Sequence, residues 1–425
     1  LAAIGTFWVE TGSARELYKY NPHATAGYPT APDNKNLVLH SMEEESFPYA
    51  GKYLALHLVR LLSGLMGLVT VVATYLLVRE ASGGDGPVAA GAAALVAFNP
   101  MFLFVSGSAN NDNLVNALAS LTLMTLTGVL MGKLTVLRLG LLGLLVGAAS
   151  LSKLNGLALL PLSLFVLAVF FQRKRRWSSF ARAATLVVSL SAVVAGWWYA
   201  RNWLIYGDPL GLNVFLSTVG SRRSTITQLL GEMEGLKLSF WGVFGGFNIL
   251  MGQPAYWFYD GLSVAAVFGL LALVLVTVKS GFRFRPWLLA MHFLWMGAVA
   301  LALARWTSMT LASQGRLLFA ALPSITLFLA LGLFSHGPAR LRGLAVAALS
   351  LLLAGMAAVV PFLYIMPAYP SPPIVSSETA REFSNPLYIN FDDKIELLGY
   401  ELSPREARPG ADVTVTLYWR ILNPM

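Results

Sequence analysis

The chain has no cysteine among its 425 residues. That removes disulfide frameworks, thiolate zinc sites and thiol nucleophiles from consideration, and it leaves the redox compartment unspecified. Charge is scarce as well: Asp, Glu, Lys and Arg make up 12% of the sequence, about half the share usual in soluble domains. Neither an initiator Met nor a signal peptide is present. The sequence opens LAAIG and stops at ILNPM, so a piece of a longer protein is expected. No internal repeat and no low-complexity run appears. What is abundant is apolar surface: 56% of residues are hydrophobic and the mean hydropathy is +0.64, more than a soluble core can hide. The composition specifies a polytopic membrane protein.

A membrane-spanning helix needs about 20 mostly apolar residues. About ten such stretches are predicted, near 54–78, 87–107, 114–131, 135–152, 155–171, 182–200, 261–278, 287–304, 317–334 and 343–365. The loops between alternate helices, LVREASGGDGP, GKLTVLR, QRKRRWSSFAR, KSGFRFRP and SHGPARLRG, are short and mostly basic. By the positive-inside rule these face the cytoplasm. The net charge of +9 is therefore a topology signal, and it does not point to a nucleic-acid partner. Every unusual polar segment falls on the other side: residues 1–53, SANNDN, SKLNG, the stretch from RNWLIYGDP to YWFYD, and RWTSMTLASQGR. With residues 1–53 outside, a further helix is expected upstream of Leu1.

The domain reading has three parts: a first extracytoplasmic loop over 1–53, a transmembrane domain over 54–365, and a linker with the start of an extracytoplasmic β-sandwich over 366–425. The Pro/Ser-rich MPAYPSPPIVSS cannot continue a helix. After it, IELLGY, the turn ARPGAD and the alternating VTVTLYW spell strand, loop, strand. A lone hairpin is marginal in water, hence the expectation of a sandwich that extends past Met425.

Several side chains are out of place in so apolar a chain. SGSANNDNLVN sets Asn110, Asn111, Asp112 and Asn113 side by side where one helix ends and the next begins; a helix cap accounts for such a turn, and so does a site. Lys153, in SLSKLNG, joins two apolar runs with almost no loop, and ionisable groups near membrane depth are by default functional unless they snorkel. Arg316 opens a helix, where a cation is electrostatically disfavoured and an anion is expected nearby. Arg201 follows an aromatic run that reads equally as an interfacial belt. His40 and Glu43 to Glu45 precede the first helix, which itself carries His57 and Arg60 in packing or interfacial positions. Between Arg201 and Asp260, TITQLLGEMEGL reads as an interfacial helix and FWGVFGGF as a re-entrant aromatic stretch, with Glu232 and Glu234 as weaker candidates.

The stretches NPMFLFVSGSANNDNLVNALASL, GAASLSKLNGLALLPL, WWYARNWLIYGDPLG and SQGRLLFAALP resemble, in that order, segments of bacterial multispanning glycosyltransferases of the GT-C superfold, relatives of the protein mannosyltransferases and of the lipid A aminoarabinose transferase. GYELSPREARPGADVTVTLYW resembles a β-domain appended in some members. The resemblance implies transfer of a sugar from a polyprenyl-phosphate donor to a lipid, glycan or protein acceptor, at the extracytoplasmic face of the bacterial plasma (inner) membrane. It implies Asp112 and Glu45 as catalytic acids. For phosphate or substrate it leaves Lys153, Arg316, Arg201, Asn111 and His40, with the family's main catalytic acid expected upstream of Leu1.

Such a transfer needs a carboxylate for the acceptor's proton, cations for the leaving phosphate and a groove for the tail. No motif demands a cofactor; a divalent metal could use Asp112, His40 and the glutamates, but no ligand spacing specifies one. Two other classes fit a multispanning chain: a transporter or flippase of lipid-linked sugars, which predicts charges near mid-helix and symmetric halves, and a noncatalytic scaffold.

Overall fold

Apolar runs of this length become helices because hydrocarbon offers backbone N–H and C=O groups no partners but each other. The computed structural model of the chain describes residues 5–12, 19–31, 33–40, 45–280, 286–311, 313–370, 384–404, 406–408 and 410–423. Two two-residue strands, β1 (Lys19–Tyr20) and β2 (Val38–Leu39), pair antiparallel ahead of the first long helix. The helices that follow are α1 (Gly51–Ala81), α2 (Gly86–Ala97), α3 (Pro100–Ser106), α4 (Asn111–Leu130), α5 (Val136–Ser152), α6 (Leu159–Arg173) and α7 (Trp177–Tyr206). Three short helices, α8 (Leu212–Val219), α9 (Ile226–Gly231) and α10 (Met233–Trp241), lead into the hairpin β3 (Val243–Phe244) and β4 (Ile249–Leu250). Then come α11 (Gln253–Ser280), α12 (Pro286–Met309), α13 (Leu322–Phe334) and α14 (Ala339–Val360).

Among the described residues eight helical stretches are long and apolar enough to cross a membrane, and α2 with α3 makes a ninth if the bent pair is one span. The protein is an integral membrane protein. Each of the ten apolar stretches read from the sequence contains a helix, and two depart from a straight span. The stretch near 87–107 bends by 62° between α2 and α3. Pro100 cannot donate to α2, and Asn99 restarts the helix by accepting from the Phe102 N–H at 2.9 Å. The other exception, α5, has 17 residues, about 26 Å at 1.5 Å per residue, and is a short partner of α4. Lys153 at its end meets Asp112 at the start of α4.

The helices pack around a buried cluster that includes Leu77, Leu123, Leu142, Leu167, Val187 and Leu327. Many hydroxyls inside the bundle are satisfied locally: Thr74, Ser120, Thr125, Ser163 and Thr326 each donate to the carbonyl four residues back. Interhelical polar bonds add register: Ser191 donates to the Gly143 carbonyl (3.0 Å), tying α7 to α5, and Trp295 Nε1 donates to the Ala320 carbonyl (2.9 Å).

Ion pairs sort the loops into two sets. Lys133 pairs with Glu80 at 2.7 Å and Arg342 pairs with Asp85, so three of the short basic loops meet at one end. The residues linking α1 to α2 and α4 to α5 thus share an end with the start of α14. Most of KSGFRFRP lies outside the described residues.

The region between α7 and α11 differs from its sequence reading. FWGVFGGF ends α10 and turns into the β3–β4 hairpin, with Val243 opposite Leu250 and Phe244 opposite Ile249. Gly245 at φ 60° and Phe247 at φ 61° make that reversal. The expected interfacial helix is divided into α9, with a Thr225–Gln228 capping box, and α10.

Residues Pro370–Met425 form a second compact unit. It holds a three-stranded antiparallel sheet of β5 (Asn385–Phe391), β6 (Ile395–Ser403) and β7 (Thr414–Ile421), in the order β5-β6-β7. The two strands read from the sequence are β6 and β7, paired from Ile395–Ile421 to Ser403–Thr414. The sequence reading did not include β5. Pro386 sits on an edge strand, beside a bulge between Pro386 and Ile389, where a missing donor is tolerated.

Candidate active site

The amide run SANNDN divides its labour. Asn110 is the helix cap, its Oδ1 accepting from the Asp112 N–H at 2.9 Å. Asn113 closes the turn from α3, its Nδ2 donating to the Val105 carbonyl at 2.8 Å. Asn111 is exposed on the first turn of α4. With capping done by Asn110, the Asp112 carboxylate is free for side-chain partners, although Asp112 is only 4% exposed. It meets two cations: Lys153 Nζ bonds to its Oδ1, and Arg316 Nη1 lies 3.8 Å from its Oδ2. Those two are its only ion-pair partners among the described residues.

Backbone breaks aim both cations. Lys153 stands in an extended conformation (φ −159°, ψ 148°) between α5 and a 3-10 turn over Leu154–Ala158. The turn folds back on the helix end so closely that a Cβ on Gly156 would lie 2.2 Å from the Ala149 carbonyl oxygen, so only glycine fits and Lys153 is held out of the helix. Arg316 is the second residue of the 3-10 turn Gly315–Ala321 that leads into α13. Gly315 is pressed against α10, with a Cβ there reaching 2.3 Å from the Phe240 nitrogen, and its N–H donates to Ser239 Oγ at 2.8 Å. The guanidinium is further fixed by Gln314 Oε1, which accepts from Arg316 Nε at 2.9 Å, and by the Phe247 ring, whose centroid lies 5.5 Å from Cζ.

Phe247 is a site residue the sequence reading missed. It projects from the β3–β4 turn, and that turn is gripped by the first loop. The Gly27 N–H donates to the Gly246 carbonyl (2.8 Å), Lys35 Nζ donates to the Asn248 carbonyl (2.8 Å), and Asn248 Nδ2 donates back to the Lys35 carbonyl (3.0 Å). The motif GGFN, a glycine pair ahead of an aromatic and an amide, was the available signal for a structured turn.

A second polar knot lies close by in sequence. Arg222 donates to both carboxylate oxygens of Glu232 (2.6 and 2.8 Å) and to the Thr307 carbonyl (3.0 and 2.8 Å), while Ser313 donates to Glu232. The Arg222 hydrogen bonds hold the Glu232 carboxyl below the ordinary carboxylate range.

The other predicted residues stand elsewhere. Arg201 lies over the Trp198 ring at 5.3 Å and donates to Asn202 Oδ1 at 3.3 Å, an interfacial aromatic arrangement outside the Asp112 cluster. His40 Nδ1 and Glu45 Oε2 lie 2.8 Å apart and form an exposed pair. Glu43 and Glu44 lie outside the described residues. Among the described residues no three His, Asp or Glu side chains gather as metal ligands. Of the donors considered for a divalent metal, Asp112 pairs with Lys153 and Arg316, and His40 with Glu45.

Residues 55–199 match the family model of the dolichyl-phosphate-mannose-protein mannosyltransferases. That match takes in about a third of the chain. The matched span holds Asp112 and Lys153 and ends before Arg316. Among solved structures, the chain is similar to ArnT from Cupriavidus metallidurans in the apo state and bound to undecaprenyl phosphate, at 18% identity and TM-score 0.44 in both cases. Each match covers 74% of this chain, and 51% and 52% of the ArnT chain respectively. It is also similar to the archaeal oligosaccharyltransferase AglB from Archaeoglobus fulgidus, in complex with an inhibitory peptide and a dolichol-phosphate, at 14% identity and TM-score 0.41, over 83% of this chain and 50% of that one. The chain spans about half the length of these structures. No curated protein sequence matches it.

Proposed function

We propose that the protein transfers a sugar from a polyprenyl-phosphate-linked donor to an acceptor at the extracytoplasmic face of the membrane. The observation that carries this reading is the buried Asp112 carboxylate shared by Lys153 and Arg316. The cluster has one net positive charge at the end of the bundle opposite the basic loops, and the two cations keep 29% and 26% of their side-chain surface exposed while Asp112 keeps 5%. That arrangement suits an anion arriving from outside: the lysine and arginine face it and the carboxylate stays behind them.

In this reading Asp112 is a positioning residue. Buried and doubly paired, it cannot reach an acceptor hydroxyl, but it fixes the Nζ of Lys153 and the guanidinium of Arg316 where the leaving phosphate develops charge. Preorganised cations of this kind stabilise a transition state without reorganisation during the reaction. Arg316 can present a planar donor edge to phosphate oxygens and Lys153 a compact charge. Glu45, half-buried on the first loop with 29% of its side chain exposed and paired with His40, is the acid to which we assign the acceptor's proton. Arg201 lies outside this set. Asp112, Lys153 and Arg316 stand at helix ends and not at mid-helix, which favours transfer over the transport of lipid-linked sugars.

The test is Asp112→Asn in membranes containing the full-length protein, assayed with a polyprenyl-phosphate-linked sugar. Loss of orientation should lower kcat/KM on the order of 10²-fold, as one lost electrostatic group does, with KM for the donor raised. A fall in kcat with unchanged KM would make Asp112 the base after all, and undiminished transfer would remove it from the site.

A further inference from the structure

Arg60 is the charged side chain that the proposed transfer leaves unused. It is the tenth residue of α1, about 14 Å along the helix from its start, and it is exposed. Among the described residues it has no hydrogen bond and no ion pair. Its neighbour His57 is already occupied, stacked on Tyr49 with ring centroids 3.7 Å apart. A guanidinium within a spanning helix calls for an anion or for the membrane surface.

From Arg60 a groove of about 520 Å³ runs between α1 and the bent pair α2–α3, within the roughly 300–1,000 Å³ of ordinary ligand sites. Its sides are apolar and outward-facing, with Leu61, Leu65 and Leu68 of α1 facing Leu103 of α3. Gly64 leaves the groove open, since a Cβ there would meet nothing within 4 Å. One polar atom lies in the wall. Ser106 is 7% exposed and its Oγ is buried with no hydrogen-bond partner. It faces α1 at Gly67, where a Cβ would come within 2.7 Å of the hydroxyl, about two helical turns from Arg60.

We propose that this groove holds one acyl chain of an anionic phospholipid, with the phosphodiester on Arg60 and an acyl ester carbonyl accepting from Ser106. Three features select that occupant. A single unpaired cation matches a singly charged phosphodiester, whereas a polyprenyl monophosphate is better matched by the two cations around Asp112. A zwitterionic headgroup brings its own ammonium and gains less from the guanidinium. A buried hydroxyl donor in an otherwise apolar wall needs an acceptor, and acyl chains carry ester carbonyls while polyprenyl chains have none. The site is independent of the sugar-transfer reading.

The test is native mass spectrometry of the purified full chain titrated in turn with phosphatidylglycerol, phosphatidylcholine and undecaprenyl monophosphate. The wild type should retain one phosphatidylglycerol about tenfold more tightly than phosphatidylcholine, the scale of roughly one charge-assisted contact. Arg60→Gln should abolish that preference, and Ser106→Ala should weaken both phospholipids alike. Gly64→Phe, which fills open space, should weaken both as well, with the lipid-free thermal transition unchanged. If Gly64→Phe lowers that transition, Arg60→Gln and Ser106→Ala decide alone. Equal retention of phosphatidylglycerol by Arg60→Gln and wild type overturns the proposal, and so does undecaprenyl monophosphate taking the Arg60-dependent site in preference to phosphatidylglycerol.

Discussion

Removing Lys153 while leaving Asp112 in place should expose how strongly the cluster is coupled. In Lys153→Met the buried carboxylate keeps one cation, Arg316 at 3.8 Å. At an effective dielectric of 20 an ion pair at that distance is worth about 4 kcal/mol before desolvation is counted, so the remaining partner compensates much of the loss. Breaking a fully buried pair costs about 3–5 kcal/mol. Lys153 keeps 29% of its side-chain surface, and the second cation stays, so about 2 kcal/mol is the expected destabilisation. Asp112→Asn/Lys153→Met removes the stranded charge together with its partner. It should therefore be more stable than the sum of the single changes by about 1–2 kcal/mol, the coupling expected of residues in direct contact. Thermal unfolding of the four proteins in one detergent measures the cycle. A chain of this size shifts by no more than about 2–4 °C per kcal/mol, so the single change should move the midpoint by a few degrees. Additivity of the two substitutions within about 0.5 kcal/mol would refute the claim that Asp112 and Lys153 act as a pair.

Three further outcomes follow from the geometry. Phe247→Leu should leave folding intact but loosen the Arg316 guanidinium, losing about 0.5–1 kcal/mol of cation–π attraction and lowering transfer by roughly two- to fivefold; an unchanged rate would remove Phe247 from the site. The Glu232 carboxyl is held below the ordinary glutamate value of 4.5 by its hydrogen bonds from Arg222. The stabilisation from that depressed pKa is present above the unfolded value and is lost as pH falls through the folded one, so protease sensitivity of the 307–316 loop should rise below about pH 4.5 in the wild type and be pH-independent over that range in Glu232→Gln. A reporter active only in the cytoplasm should be active when fused within 173–182 and silent when fused after Met366, and the reverse pattern would invert the assigned sidedness of the site.

Much of the bundle could be read from the sequence, because a run of apolar residues long enough to cross hydrocarbon has few other fates. The positions of Asp112, Lys153 and Arg316 were readable for the same reason, as each is a charge where hydrocarbon begins. The arrangement of their supports was not. Phe247 is one apolar residue in an aromatic-rich stretch, and only the docking of Gly27 and Lys35 onto its turn, more than 200 residues away, gives it a place under Arg316. Arg201 and His40 show the converse. Their residue types fit phosphate chemistry, but Trp198 and Glu45 supply local partners, and which partner a charge takes is decided by tertiary approach. The strand β5 was not read from the sequence; its Pro386 is tolerated because β5 lies at the sheet edge.

Ser313 and Arg316 stand three residues apart on one short loop, the first bonded to Glu232 and the second facing Asp112. Three residues span at most about 10 Å when fully extended, so knot and cluster are joined by a short covalent link. The Arg222–Glu232 knot and the Asp112 cluster are therefore near neighbours along the chain, and a change that shifts Ser313 has only two residues in which to be absorbed before it reaches Arg316.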